Sequence, residues 1–386
     1  MKKLLMIEYN FPPKVGVGVI RTVKLAKYLP QYGWEPIVLS VKPSKKETDI
    51  NYIENQEIRS LTVYRTPELI SFSKIIKKDV HVGWCLPAFL KGLKIIKREE
   101  IAAIYASYPY AANLLTGSAL KRATGIPFIA NYEDFWTNSF FRSSSIEFGL
   151  QKAVEGFVLK SADGVVTVAM SHVRDLKKFF PFLDEIYVIR NGYDPADFKQ
   201  TSPFKFPKFT FLHAGSVFGS RINRFIEFLF ALKEFKESTD FQVVILGSID
   251  RKILDLIERL DLSKLVKIER TKPHKEAIRW ILGADVLLLV TAGEHIPTMK
   301  LYEYLASGNF ILHIGYSWGE AGKLISKYHA GISVPPKRRE ITDAIRDIIH
   351  GNLLQNSKST KIRNIEEISW PRLAKKFAFI LEDISV

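Results

Sequence analysis

One segment constrains the fold more than any other: Ala284–Ile314, ADVLLLVTAGEHIPTMKLYEYLASGNFILHI. The apolar run Val286–Val290 leads into a loop holding Gly293 and Pro297. An amphipathic helix is predicted over Met299–Ser307, and a second apolar run, Phe310–Ile314, follows it. Gly308 stands where a left-handed helix cap is wanted. Strand, loop, helix, strand is the unit of a parallel sheet, and the loop leaving a strand's carboxyl end faces the ligand crevice of such sheets. The helix starts with free backbone N–H groups and the positive end of its dipole, a seat for phosphate. Lys300 adds a full positive charge there. Glu303, one turn in, is suited to accept hydrogen bonds from a ribose diol. Its bland alternative is an ordinary solvated helix glutamate, and the surrounding motif favours the ribose contact. Together these groups point to a nucleotide-diphosphate pocket.

The rest of the chain repeats the alternation. Lys3–Glu8 reads as a strand, Tyr9–Gly18 as a loop, Val19–Tyr32 as a helix and Pro36–Val41 as a second strand. Strands follow at Ile101–Ala106, Phe128–Asn131, Gly164–Val168 and Ile186–Ile189. Between them lie a helix near Ala111–Ala123, a long helix ending near Ser161 and one starting at a Ser171 cap. Such alternation predicts an α/β fold with parallel sheets. After Asn191-Gly192-Tyr193-Asp194 the composition shifts, and Thr201–Lys208, with two prolines, reads as a linker. A second series runs from Thr210–Ala214 through Gln242–Leu246 and Val266–Glu269, with helices near Ile222–Phe235, Arg251–Leu260 and Lys275–Leu282. Amphipathic helices at Ile341–His350 and Trp370–Ile384 close the chain. The expected division is 1–195, a linker at 196–207, 208–366, and a C-terminal helix, 367–386, packed back on the first domain.

With 386 residues, two domains with separate cores are expected. Cys85 is the only cysteine, which rules out a disulfide framework or a cysteine-based zinc site and agrees with a reducing, cytoplasmic setting. The opening MKKLLMIEYNFPP is interrupted at Glu8 and reads as the first strand, with no secretion signal. No apolar stretch approaches the roughly 20 residues that a spanning helix needs. The net charge of +15 suggests anionic substrates, an anionic membrane or nucleic acid as partners. Nucleic acid is set aside, because the charge is spread through both halves without a recognisable module.

In this order the segments resemble the retaining, family 4 type of GT-B glycosyltransferase. Phe11-Pro12-Pro13 with Gly16 and Gly18 is similar to the family's first loop. Gly125-Ile126-Pro127 with Glu133-Asp134-Phe135-Trp136, then Ala162-Asp163 and IRNGYDPADF, follow in family order. His213-Ala214-Gly215-Ser216 resembles the opening of the second domain, and Pro297–Tyr304 the "P-x-K-x-x-E-Y" form of the donor motif. The matches run from about residue 3 to 335; each alone is weak, and their joint order is specific.

The resemblance implies two Rossmann-like domains with parallel sheets facing across a cleft, and sugar transfer from a UDP- or GDP-sugar to a glycan or lipid-linked acceptor. It implies retention of configuration, no metal, and a place in polysaccharide or envelope-glycan synthesis. Glu303 matches the family's ribose-binding glutamate. Arg221 or Arg224 matches its pyrophosphate-binding basic residue, with Lys300, Thr298 and Met299 beside it. Thr271–His274 stands where the nucleobase packs. Gly16, Gly18 and Gly215 allow close backbone approach. Asp134 is either an acceptor-side residue or a helix N-cap. The family's first donor-motif glutamate falls on His295, and Glu294 is one residue off register, so either can take that place. A nucleotide-sugar epimerase and a non-catalytic nucleotide-sugar-binding protein are the alternatives on this scaffold. A nicotinamide role is disfavoured, since the third fingerprint glycine is Arg21 and the second strand ends in Val41-Lys42.

His81–Glu100 sets Trp84, Leu86, Phe89, Leu90 and Leu93 beside Lys91, Lys94, Lys97 and Arg98, with Lys74, Lys77 and Lys78 upstream. A basic amphipathic helix of this kind either lies on an anionic membrane or buries its apolar side in its own domain. Residues 74–98 are therefore a candidate for peripheral attachment to the inner membrane face.

Overall fold

The computed structural model describes residues 1–13, 18–43, 60–69, 81–137, 145–295, 297–353 and 364–385. The chain divides into two compact units, Met1–Asn191 with Trp370–Val386, and Gly192–Ser369. The proline-containing segment Thr201–Lys208 lies within the second unit.

The first unit is built on seven strands: β1 (Lys2–Ile7), β2 (Trp34–Val41), β3 (Thr62–Thr66), β4 (Ile101–Tyr108), β5 (Phe128–Tyr132), β6 (Gly164–Thr167) and β7 (Tyr187–Val188). Their order is β3-β2-β1-β4-β5-β6-β7, with every pairing parallel. Among the described residues its helices are α1 (Val19–Tyr28), α2 (Cys85–Glu99), α3 (Ala111–Thr124), α4 (Ser145–Leu159) and α5 (Met170–Phe179). The second unit has α6 (Pro195–Phe198), β8 (Phe209–Ala214), α7 (Ile222–Leu232), β9 (Phe241–Leu246), α8 (Arg251–Arg259), β10 (Val266–Glu269), α9 (His274–Gly283) and β11 (Val286–Val290). It continues through α10 (Met299–Ser307), β12 (Phe310–Ile314), α11 (Glu320–Lys327), β13 (Gly331–Val334) and α12 (Arg338–Ile349). Its sheet, also parallel, runs β10-β9-β8-β11-β12-β13.

Both sheets reverse their winding once, between β1 and β4 and between β8 and β11. Ligands of open α/β sheets bind outside the strands' carboxyl ends at such a switch point. The central strand β11 is apolar along its length, and β1 from Leu4 to Ile7, because helices cover both faces of a parallel sheet. One apolar layer of the second unit packs Phe225, Phe228 and Leu232 on Val243 and Leu288; the opposite layer packs Leu301, Tyr304 and Leu305 on Leu212 and Leu289.

The C-terminal helix α13 (Trp370–Asp383) belongs to the first unit and buries Trp370, Leu373, Phe377 and Leu381. Phe377 meets the Tyr105 ring edge-on at 5.4 Å, and Tyr187 donates to Asp383 at 3.1 Å. A buried aromatic of this kind is worth several kcal/mol of stability.

Some local expectations shift. Ser171 does not cap its helix: α5 begins at Met170, and Ser171 is buried in the first turn. Pro30, the second residue of a short 3₁₀ turn, Leu29–Tyr32, follows α1, which ends at Tyr28. The edge strands β3 and β13 and the helix α11 have no counterpart in the sequence reading.

Candidate functional site

The switch point of the second sheet brings two loops side by side, the one after β8 and the one after β11. Gly215 turns the chain at φ +124°, and a Cβ there would stand 2.7 Å from Lys300 Nζ. Gly247, at φ +148°, ends β9, and its Cβ would come within 2.8 Å of the Gly215 carbonyl carbon. Glycine is needed at both places, by backbone conformation and by space. Thr298 enters α10 in extended conformation with no side-chain cap, and Gly308 closes the helix at φ +75°.

Lys300 and Tyr304 lie one turn apart on α10 and both hold the end of β8. The Tyr304 hydroxyl accepts the Ala214 N–H at 2.8 Å, and Lys300 Nζ is 3.2 Å from His213 Nε2. His213 is fully buried, with Nδ1 3.0 Å from the Leu288 carbonyl oxygen. Burial, joined by the Arg221 charge, pulls the Lys300 amine down to about 7 against the opposing pull of Glu303. Burial and the Lys300 charge hold His213 well below the usual imidazole range. Arg221 is itself lowered by burial, and its Nε is buried without a hydrogen-bond partner among the described residues. Cations near a helix N-terminus with few compensating carboxylates form a site short of an anion.

Glu303 faces the other way. Its Oε1 is 2.7 Å from His274 Nε2, and His274 Nδ1 lies 3.9 Å from Asp197. Thr271 is exposed in the loop before α9, and Met299 is half-buried at the start of α10. His274, Met299, Lys300 and Glu303 thus gather around the amino end of α10, with Thr271 three residues before His274 in the chain.

Arg221 and Arg224 part company. Arg221 belongs with Lys300, whereas Arg224 pairs with Glu294 Oε1 at 2.7 Å and donates to Thr291 Oγ1 at 2.9 Å. Thr291 contacts His313, which contacts Ser333. Glu294 also accepts the Tyr316 N–H at 3.3 Å through its carboxylate and the Glu320 N–H at 2.8 Å through its carbonyl. This carboxylate ties the β11–α10 loop to the loop before α11. His295 is half-buried beside it. The Thr298 hydroxyl oxygen is buried without a partner among the described residues.

In the first unit, Gly16 lies outside the described residues. Gly18 adopts φ +84°, and a Cβ on it would stand 3.1 Å from Glu133 Oε1. Asp134 is exposed and, among the described residues, accepts the next backbone N–H, that of Phe135, at 2.9 Å; no described helix starts on it, against the N-cap alternative. Its neighbour Trp136 stacks on Tyr108 at 5.5 Å. Sequence reasoning missed Glu133 as a site group. Its Oε1 accepts from Ser107 Oγ at 3.1 Å, and burial pushes its carboxyl up to about 7 against the pull of Arg21. Arg21, fully buried, donates to Asn131 and Asn191 side chains at 3.2 Å each and to the Arg190 carbonyl at 3.1 Å. Glu8, held by Thr22 and Asn113, is raised well above the carboxylate range by burial and by Glu133. The adjacency of Glu133 to Asp134 at a strand end was the available signal.

Residues 74–80 of the candidate membrane segment lie outside the described residues. On α2, Leu86 and Leu90 are exposed, while Ala88 and Ile95 enter the core. Trp84, expected on the apolar face, is fully buried and donates to Thr66 at 2.7 Å. No described helix is long and apolar enough to cross a membrane.

Residues 18–197 match the sequence model of Glycosyltransferase Family 4. No curated protein sequence matches the chain. Among solved structures, a glycosyltransferase from Rickettsia africae is similar over 99% of this chain and 98% of its own, with TM-score 0.74 and 17% identity. A sucrose-phosphate synthase from Thermosynechococcus elongatus is similar over 100% and 96%, with TM-score 0.68 and 16% identity. HepE of Anabaena in complex with UDP is similar over 100% and 97%, with TM-score 0.64 and 15% identity. The shared architecture is the GT-B fold, two Rossmann-like α/β domains.

Proposed function

We propose that this chain, which has the GT-B fold and matches Glycosyltransferase Family 4 over residues 18–197, is a glycosyltransferase that moves a sugar from a UDP- or GDP-sugar to a glycan or lipid-linked acceptor, with retention of configuration. The carrying observation is the polar crescent at the amino end of α10: Lys300 and Arg221 toward the Gly215 turn, Glu303 paired with His274 on the other side. Those two halves suit a diphosphate and a ribose, respectively. HepE, in complex with UDP, is a protein of the same fold, in keeping with this reading.

In this mechanism the diphosphate sits over the Gly215 turn, against the Lys300 ammonium, the Arg221 guanidinium and the first N–H groups of α10. The bond between the anomeric carbon and the phosphate oxygen breaks, and negative charge grows on the leaving diphosphate. Preorganised positive groups stabilise that charge. The acceptor hydroxyl attacks the same face, forms the new glycosidic bond and passes its proton to the departing phosphate. Side chains and the helix dipole do the work of charge neutralisation without a metal. Glu303, aimed by His274, receives the ribose hydroxyls, and the base rests near Thr271–His274. With Glu294 engaged by Arg224, the place of the family's first glutamate falls to His295.

The test is a product assay with UDP- and GDP-sugars, lipid or glycan extracts as acceptor, and NMR of the product's anomeric proton. Acceptor-dependent release of the nucleotide with retained configuration supports the reading. Turnover of the sugar without any acceptor identifies an epimerase instead, and inversion removes the retaining mechanism.

A further inference from the structure

Resting on that donor reading, we propose that His213 is a positioning residue for Lys300. One fixed, neutral tautomer of the imidazole holds the Lys300 amine over the Gly215 turn, so that a nucleoside diphosphate arriving there completes its charge and loads a proton onto it.

The tautomer follows from the partners. The Leu288 carbonyl oxygen only accepts hydrogen bonds, so His213 Nδ1, 3.0 Å away, carries the hydrogen. Nε2 is left with a lone pair, and Lys300 Nζ at 3.2 Å is its donor. The edge-on Phe225 ring at 5.5 Å fixes the imidazole plane. Tyr304 grips the Ala214 N–H one turn further along α10, so the helix cannot carry Lys300 away from β8. The amine occupies the space a Gly215 side chain would fill.

A neutral acceptor here differs in consequence from a carboxylate. A carboxylate partner would keep the lysine charged at all times. An imidazole aims the amine and leaves its charge without a counterion. The groups facing it are His213 from β8, Arg221 from the turn before α7, and Glu303 on its own helix, which is shared with His274. Burial and Arg221 outweigh Glu303 and bring Lys300 to about 7. An added anion favours the charged form of an amine, so binding raises its proton affinity. Above neutrality, the nucleotide is therefore taken up together with a proton.

The experiment is calorimetric titration of the full chain with UDP, and with GDP, at pH 8 with EDTA, in phosphate and in Tris. The two buffers differ in ionisation enthalpy, and the nucleotide phosphates are already ionised at that pH. Wild type is expected to show a buffer-dependent enthalpy equal to uptake of a fraction of a proton up to one, with affinity falling as pH rises from 7 to 9. His213→Leu should bind roughly tenfold more weakly, the scale of one lost hydrogen bond to a charged group. His213→Gln keeps one donor and one acceptor and should restore binding and proton uptake. Wild-type binding with no buffer dependence, or a His213→Leu protein that matches wild type in affinity and uptake, overturns the proposal and leaves the donor reading standing. Failure of wild type to bind either nucleotide removes both.

Discussion

Glu303 and His274, on different helices, meet at 2.7 Å, carboxylate to imidazole, beside the open start of α10. The pairing fixes the carboxylate's direction before any ligand arrives. Glu303→Ala should weaken nucleotide binding by about 1–3 kcal/mol while leaving the unfolding midpoint near wild type. His274→Ala should weaken it less, because the carboxylate remains but loses its orientation. Titration of both variants with UDP and GDP checks the order; equal affinity of Glu303→Ala and wild type would remove Glu303 from the site.

Arg224 and Glu294 form an ion pair at 2.7 Å with little solvent around it. Removing one partner from a desolvated pair costs more than removing both. Arg224→Met and Glu294→Gln should each destabilise the protein, by up to about 3 kcal/mol at this depth. The double variant should cost clearly less than their sum. Urea unfolding of all four proteins measures the coupling, and strict additivity would deny that Arg224 on α7 and Glu294 in the β11–α10 loop stabilise each other.

Gly215 has room for no side chain while Lys300 stays where it is. Gly215→Ala must push the amine aside and adopt a backbone conformation that costs about 1–3 kcal/mol in a residue with a Cβ. Nucleotide affinity should fall about as far as in Lys300→Met. An alanine variant that binds like wild type would mean that Lys300 does not need this position.

Glu133 carries a pH signature. Its carboxyl is raised from 4.5 to about 7 in the folded chain, chiefly by burial. The folded state therefore binds more protons than the unfolded state between those values. The stability this group contributes is fully present below pH 4.5 and is lost as pH rises through about 7. Glu133→Gln should make the stability of the first unit less dependent on pH in that window. Melting curves at pH 5 and pH 8 decide it; an unchanged difference between the two pH values would show that folding does not raise the Glu133 carboxyl as described.

Much of the fold is legible in the chain because its strongest signals are local. The apolar runs of β11 and β12 and the helix between them have the bounds that periodicity assigns, and Gly308 adopts the left-handed cap expected of it. The edge strands β3 and β13 escape notice because each is short and only partly buried, so neither shows the unbroken apolar run of a central strand. Ser171 misleads for a different reason: a hydroxyl near a helix start suggests a cap, yet here it turns inward. At the candidate site, Lys300 and Glu303 announce themselves by sharing one helix with a glycine cap. Their partners do not. His213 stands 87 residues from Lys300, and His274 stands 29 from Glu303. The first pair joins β8 to the helix after β11 at the switch point, and the second joins the helix after β10 to that same helix.

The most direct test of the proposed nucleotide-sugar site at α10 is a thermal-shift panel of UDP, GDP, ADP and their sugar conjugates, run with and without EDTA on wild type and Glu303→Ala. A ligand that binds only the folded state raises the midpoint in proportion to its saturation. One nucleotide class should stabilise wild type, equally with EDTA present, and the shift should shrink in Glu303→Ala. No shift with any nucleotide, or the same shift in both proteins, would contradict the assignment.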